Sequence, residues 1–252
     1  MIFRQLFDRE SCTYTYVLGD PSTGRAALVD TVREHVGRDL ALLEELGLTL
    51  SAVMETHVHA DHVTGAGELR RRTGATCHVP RLGGAPCADV PLGDGDVVRV
   101  GAVALRVLAT PGHTSGCVSY LVSAGDAEPD RVLTGDALLI RGCGRTDFQE
   151  GDAGRLWDSV HARLFALPDA MRVYPAHDYR GVTVSTIGEE RRHNPRLGGP
   201  RTRSEFIALM AALDLPPPAR IAEALPANRA CGDAGDGPDE AADAGDAGPE
   251  RM

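Results

Sequence analysis

Between Thr56 and His62 the chain reads Thr-His-Val-His-Ala-Asp-His, three imidazoles and a carboxylate packed directly after the apolar run Leu50 to Met54. Neutral nitrogen donors at this density suit a transition metal. An apolar strand ending at Glu55 would carry the loop to a sheet edge, and the helical character of 63–72 puts Asp61 and His62 near a helix start. A surface histidine tract has no reason to alternate His with small residues and to end in Asp-His.

Three further places repeat the arrangement of a strand emptying into a tight turn with one ligand-type side chain. A strand over 103–108 leads to Thr110-Pro111-Gly112-His113-Thr114, one over 131–134 leads to Gly135-Asp136, and one over 171–174 leads to Pro175-Ala176-His177-Asp178. Glycine or proline before each candidate fixes the backbone, and so the side chain, more firmly than a long loop would. Any one of these alone reads as a core histidine or a turn residue. Together they form a set of five histidines, His57, His59, His62, His113 and His177, and two aspartates, Asp61 and Asp136. His35, His78, His161 and His193 lack the strand-to-turn setting and are read as structural or surface residues.

The elements that must position this set follow from periodicity. Strands over 2–6, 13–18 and 26–30 open the chain as a meander, with a turn at Gly19-Asp20-Pro21-Ser22-Thr23-Gly24. Val36, Leu40, Leu43 and Leu46 recur at helical spacing over 33–46, and Gly47 follows as the natural terminator. Strand 50–54, helix 63–72 and strand 75–79 then alternate. Strands over 96–100, 103–108, 116–122 and 131–134 follow, with a helix over 155–167 carrying His161. The alternation predicts a layered α/β architecture.

Composition narrows the function classes. The 252 residues suit one large α/β domain with a small appendage, and 42% hydrophobic content supplies a sizeable core. A net charge of −10 argues against nucleic acid or an anionic membrane as the main partner. The stretch from Asp233 to Met252 holds seven acids against one base, Arg251, and so carries −6 of that total. Every one of the 26 basic residues is arginine, which excludes a Schiff-base lysine and a phosphate-loop lysine. The six cysteines show no C-x-x-C pair and the opening has no secretory signal, so reduced thiols in the cytoplasm are expected. No run of about 18 apolar residues is present to span a membrane.

His-x-His-x-Asp-His followed by Thr-Pro-Gly-His-Thr, Thr-Gly-Asp and Pro-Ala-His-Asp resembles the metallo-β-lactamase superfamily. The resemblance implies an αβ/βα sandwich of two mixed β-sheets flanked by helices, with a metal at the edge between the sheets. A second set of residues is similar to the persulfide dioxygenases, also called sulfur dioxygenases, the family of the ethylmalonic encephalopathy protein. It comprises Leu138-Leu139-Ile140-Arg141-Gly142-Cys143-Gly144-Arg145-Thr146-Asp147-Phe148-Gln149, Tyr174 through Tyr179, Asn194-Pro195-Arg196-Leu197, Pro226-Ala227-Asn228 and Cys231-Gly232. That family oxidises glutathione persulfide with O₂ and water to sulfite and glutathione at one non-haem Fe(II) per chain.

By this resemblance the catalytic iron ligands are His57, His113 and Asp136, two imidazoles and a carboxylate that leave adjacent positions open for substrate and O₂. His59, Asp61, His62 and His177 would orient those ligands and water rather than bind a second ion. Residue types alone allow two metals as readily as one, because all seven positions are filled. Arg145, Tyr179 and Arg196 are the implied substrate contacts, with Asp147 orienting Arg145. Cys143 is read as a packing residue, since iron and O₂ chemistry needs no protein thiol.

The rival reading is a glyoxalase II-type hydroxyacylglutathione hydrolase with a dinuclear site, which would use the same seven ligands. Against it stand the segment from Arg141 to Phe148 and the short region after His177. The expected organisation is a catalytic domain over 1–231 and an acidic tail over 232–252 too poor in apolar residues to order. The expected partners are glutathione persulfide and O₂, with no nucleic acid and no membrane, and with a homodimer as the assembly to test.

Overall fold

The computed structural model describes residues 1–125 and 127–233. Of the expected tail, Gly232 and Asp233 fall inside this range, and the rest lies outside the described residues.

Two six-stranded mixed sheets pack face to face. The first runs in sequence order, β1 (Ile2–Phe7), β2 (Tyr14–Asp20), β3 (Arg25–Val29), β4 (Thr49–Met54), β5 (Thr76–Pro80) and β6 (Val90–Leu92). Its hairpins are antiparallel as far as β3, and the crossovers through α1 (Val36–Glu45) and α2 (Ala66–Thr73) make β3, β4 and β5 parallel. The second sheet holds β7 (Val97–Val100), β8 (Val103–Ala109), β9 (Val118–Ala124), β10 (Arg131–Gly135), β11 (Arg172–Pro175) and β12 (Ser185–Thr186), in the order β12-β11-β10-β9-β8-β7. Its one parallel pair is β10 with β11, joined through α3 (Ala153–Ser159) and the wider helical turn Val160–Leu164.

Alternation along β2 shows why the chain forms four layers. Tyr14, Tyr16 and Leu18 point into the core between the sheets, while Val17 points into the core under α1 and α2, so every residue of the strand is buried. On the other side Leu133 faces the inter-sheet core and Val132 the core under α3, α4 (Ile187–His193) and α5 (Arg203–Ala211). The fold is the expected αβ/βα sandwich.

Three local expectations change. The second helix begins at Ala66 rather than at 63, because Val63 and Thr64 are held by other partners. The Val63 carbonyl accepts from the Arg33 amide at 2.9 Å, and the Thr64 amide donates to Asn228 Oδ1 at 2.8 Å. Asp61 and His62 therefore sit in an irregular loop, not at a helix start. The helix expected over 155–167 starts at Ala153, capped by Asp152, and widens after Ser159. Periodicity also misses α4, α5 and α6 (Ile221–Arg229), helices of seven to nine residues fixed by tertiary packing and, for α5, by the capping box of Thr202 and Glu205.

Candidate metal centre

The four ligand-bearing turns leave β4, β8, β10 and β11 at one end of the sandwich and bring all seven predicted side chains together. His57, His113 and Asp136 offer donor atoms within 4.8 Å of one another, and His59, Asp61, His62 and His177 form a second such group. The first trio is buried except where it faces a cavity of about 630 Å³, a size suited to a small-molecule ligand.

The two groups differ in the partners of their imidazole nitrogens. His113 Nδ1 lies 2.6 Å from the Arg145 carbonyl oxygen, which can only accept, so Nδ1 carries the proton and Nε2 keeps its lone pair. His113 Nε2 is 3.6 Å from Asp136 Oδ2. His57 Nδ1 is 3.0 Å from Thr56 Oγ1, whose single proton goes to the Asp30 carboxylate, 3.0 Å from each of its oxygens. The Thr56 oxygen therefore accepts from His57 Nδ1–H, leaving His57 Nε2 free as well. Asp30 also accepts the Thr56 amide at 2.7 Å, so one buried carboxylate fixes backbone, hydroxyl and ring in series.

In the second group carboxylates take part of the nitrogens, and only His177 has both of its nitrogens hydrogen-bonded. His177 Nδ1 is 2.7 Å from Asp136 Oδ1, and its Nε2 is 2.9 Å from Asp61 Oδ2 and 3.0 Å from Thr13 Oγ1. His59 turns Nε2 toward Asp30 at 3.1 Å and Glu55 at 3.5 Å. One nitrogen on each of His59 and His62 is buried without a hydrogen-bond partner.

Titration follows the same division. Burial, then the neighbouring His59 and His113, hold the His57 ring well below its ordinary value, so it stands neutral. Burial opposes charge on His59 and His177 too, but hydrogen bonding to Asp30 lifts His59 to about 10, and the Asp136 and Asp61 carboxylates lift His177 well above its ordinary value. Burial would also raise Asp136, yet the adjacent His177 cation keeps it well below the usual carboxylate range and so ionised. The neutral His57 ring, the His113 ring anchored through Nδ1 and the ionised Asp136 carboxylate, all facing one cavity, fit a divalent transition metal.

The segment 138–149 closes over this trio. Gly144 admits no side chain, since a Cβ there would lie 2.7 Å from both the Asp136 carbonyl oxygen and His113 Nδ1. Arg141 pairs with the fully buried Glu190, and Asn194 donates to the Gly142 carbonyl at 2.9 Å and to Glu190 at 2.9 Å, tying the segment to α4. Cys143 is buried against Met210, and burial pushes its thiol up to about 11, in keeping with a packing residue.

Arg145, Tyr179 and Arg196 all line the cavity. The Arg145 guanidinium is bound by both Asp147 oxygens, at 2.7 and 2.6 Å, by the Pro216 carbonyl at 2.6 Å and by the Leu215 carbonyl at 3.1 Å, and it lies over the Phe148 ring. Arg196 donates to the Cys143 carbonyl at 3.0 Å, and Arg180, a lining residue absent from the sequence reading, donates to the Ile140 carbonyl. Neither has a carboxylate partner among the described residues. Tyr179 is 71% exposed and stacks parallel to His177 with centroids 6.3 Å apart.

Sequence reasoning also passed over Asp30, Thr13 and Asn228. Asp30 ends a predicted strand at the same sheet edge as His57, which is a usable signal. Asn228 lies in the Pro-Ala-Asn motif, and its Nδ2 donates to the His59 and His62 carbonyls at 2.9 and 2.8 Å.

The profile of the metallo-beta-lactamase superfamily matches residues 9–177. A mouse relative, "Persulfide dioxygenase ETHE1, mitochondrial", is 50% identical over 233 residues, covering 92% of this chain and 89% of its own length. The crystal structure of ETHE1 from Myxococcus xanthus superposes with a TM-score of 0.88 at 57% identity, covering 92% of this chain and all of that one. The chain belongs to the persulfide dioxygenase family. A hydroxyacylglutathione hydrolase from a Bradyrhizobium species is 39% identical over a shorter alignment, 71% of this chain and 68% of its own. The family assignment therefore favours a persulfide dioxygenase-type enzyme over the thioesterase, with a metal-binding site in the metallo-β-lactamase fold. Among the described residues no helix is long and apolar enough to cross a membrane.

Proposed function

We propose that this persulfide dioxygenase-type chain oxidises glutathione persulfide with O₂ and water to sulfite and glutathione, using one Fe(II) held by His57, His113 and Asp136. The observation that carries this reading is the difference between the two ligand groups: His57 and His113 line the cavity with Nδ1 held by a single oxygen each, beside the Asp136 carboxylate, whereas His59 and His177 are hydrogen-bonded to buried carboxylates. When bound, the iron would supply adjacent coordination positions for the persulfide sulfur and O₂ and a route for electrons between them.

The protein's own contribution is orientation and charge. Thr56 and the Arg145 carbonyl aim the two imidazoles, and His177 holds the Asp136 carboxylate in its ionised form. His59, Asp61, His62 and His177 serve as the supporting network. Arg196 and Tyr179 contact the substrate, Arg180 adds a second unpaired cation for the two glutathione carboxylates, and Asp147 holds Arg145 at the rim. Charge-assisted contacts to the peptide portion fix the persulfide sulfur near the metal, so binding energy is spent on position.

The catalytic domain of this reading is 1–231 followed by the acidic tail. The enzyme works in the cytoplasm, where a reducing compartment supplies its glutathione-based substrate. An oxygen electrode with glutathione persulfide, run beside elemental analysis, tests the whole reading. The expected result is O₂ uptake matched by sulfite formation at one iron per chain. Two zinc ions per chain with lactoylglutathione hydrolysis and no O₂ uptake would replace it with the thioesterase.

A further inference from the structure

Three of the six cysteines meet on the far side of the histidine loop from the cavity. Cys77 lies on β5, Cys87 on the connection from β5 to β6, and Cys231 just past α6. Cys87 and Cys231 form a disulfide across 144 residues of sequence, and Cys77 Sγ lies 3.5 Å from Cys231 Sγ. The sequence reading of six reduced thiols is corrected here. With no C-x-x-C spacing, the pairing comes entirely from the return of α6 to the edge of the first sheet.

The three sulfurs differ in access. Cys77 and Cys231 are fully enclosed, at 0% and 1% exposure, whereas Cys87 is partly exposed. Burial pushes the Cys77 thiol up to about 12, so it stays an S–H donor at neutral pH. An external thiolate can therefore reach the disulfide only at Cys87 Sγ, from which the buried Cys231 sulfur departs toward a donor already in place.

The same C-terminal segment holds the metal loop. Asn228 accepts the Thr64 amide at 2.8 Å and donates to the His59 and His62 carbonyls, and the Cys231 carbonyl accepts the Gly67 amide at 2.7 Å. Gly232 presses on the Thr64 carbonyl so closely that a Cβ would approach to 2.1 Å. The disulfide is the covalent anchor of this clamp.

We propose that Cys87–Cys231 is a reversible thiol–disulfide exchange site, modified at Cys87 by low-molecular-weight thiols, and that its redox state sets how tightly Asn228 clamps the loop carrying His59, Asp61 and His62. In the first step a thiolate RS⁻ attacks Cys87 Sγ, the Cys87–Cys231 bond breaks, and the products are R–S–S–Cys87 and the Cys231 thiolate. A second RS⁻ attacks the R sulfur of the mixed disulfide, giving RSSR and the Cys87 thiolate. The two protons lost by RSH end on Cys87 and Cys231, so two electrons pass from two thiols to the protein. The inference stands independently of what the cavity binds.

The experiment uses the full chain, equilibrated in reduced and oxidised glutathione mixtures, acid-quenched, alkylated and mapped by peptide mass spectrometry. Amide hydrogen exchange is followed in parallel on the metal-stripped protein. The expected adduct is glutathione on Cys87 alone, and the Thr64 and Gly67 amides should exchange about tenfold or more faster once the disulfide is reduced. Cys87→Ser, at a partly exposed position, should show the fast exchange in every mixture. Glutathione attached to Cys231, a disulfide that never re-forms in oxidised glutathione, or equal exchange in both states would each overturn the proposal.

Discussion

The two ligand groups hold the same kinds of side chain a few ångströms apart, yet the fold treats them oppositely. In His57 and His113 one nitrogen of each ring is satisfied by a single hydroxyl or carbonyl oxygen, so the other is left with a lone pair toward the cavity. In His59 and His177 carboxylates claim the rings and favour the cationic form, with which a metal would have to compete. Residue type thus does not separate the two groups. On the proposed reading, the partners of each ring together with access to the cavity single out the ligands.

The sharpest break of this comparison is one substitution in each group. His113→Ala should abolish both metal retention and turnover, because it removes a donor with no substitute in the trio. His62→Ala should leave most of the metal and lower the rate by about 10–100-fold, as losses around a ligand set typically do. Equal metal loss in both variants, measured by elemental analysis after gel filtration, would erase the division.

Next in size is the cation proposed to meet the substrate. Arg145 is already gripped by Asp147 and two carbonyls, whereas among the described residues the Arg196 guanidinium donates only to Cys143. Arg196→Ala should raise KM and lower kcat/KM by about 10–150-fold, the worth of a charge-assisted pair of roughly 1.5–3 kcal/mol, with metal content unchanged. Arg145→Ala should lower Tm as well, because it also frees Asp147 and the 215–216 carbonyls. A variant of Arg145 with normal Tm and the larger KM effect would reverse their roles.

The candidate ligands and their convergence were legible because metal binding demands uncommon residue types at strand ends, and such ends announce themselves by an apolar run followed by glycine or proline. Ten of the twelve strands were legible from apolar runs and alternation, whereas the two- and three-residue strands β6 and β12 are too short to leave such a mark. What selects among the ligands was not. Asp30 acts on Thr56 and His59 across 26 and 29 residues of sequence, and Asn228 reaches His59 across 169. Ordinary polar residues gain those roles only when the sandwich closes. The helix start misplaced at Val63 is a local case, for the Thr64 amide prefers a side chain from the far end of the chain to a helical carbonyl.

Thr56→Val refines the comparison further, since it keeps the shape of the side chain while removing the acceptor for His57 Nδ1–H. Metal affinity should fall by about tenfold, within the usual range for such orienting partners, and Thr56→Ser should restore it. Unchanged affinity in Thr56→Val, read by chelator competition, would mean that packing alone aims His57.

The smallest expected effect lies at the outer end of the supporting group. Asp8 Oδ2 accepts from the Ser11 amide at 2.8 Å and hydroxyl at 2.6 Å, and Ser11 Oγ is 2.6 Å from Thr13 Oγ1, which touches His177, His62 and Asp61. Burial alone would raise the Asp8 carboxyl, but the Ser11 bonds and the His35 ring hold it down to about 2 from an ordinary 3.8. A depressed folded-state value stabilises the protein above the unfolded value, and that contribution disappears as pH falls from about 4 to about 2. Asp8→Asn should therefore cost on the order of 2 kcal/mol at pH 7 and almost nothing at pH 2, by denaturant unfolding at both pH values. Metal content should be unaltered, because the chain of contacts ends on the group proposed to support the ligands rather than to bind the metal. If Asp8→Asn sheds metal at pH 7 while remaining folded, the supporting residues are coupled to the ligands more tightly than their separate hydrogen bonds imply.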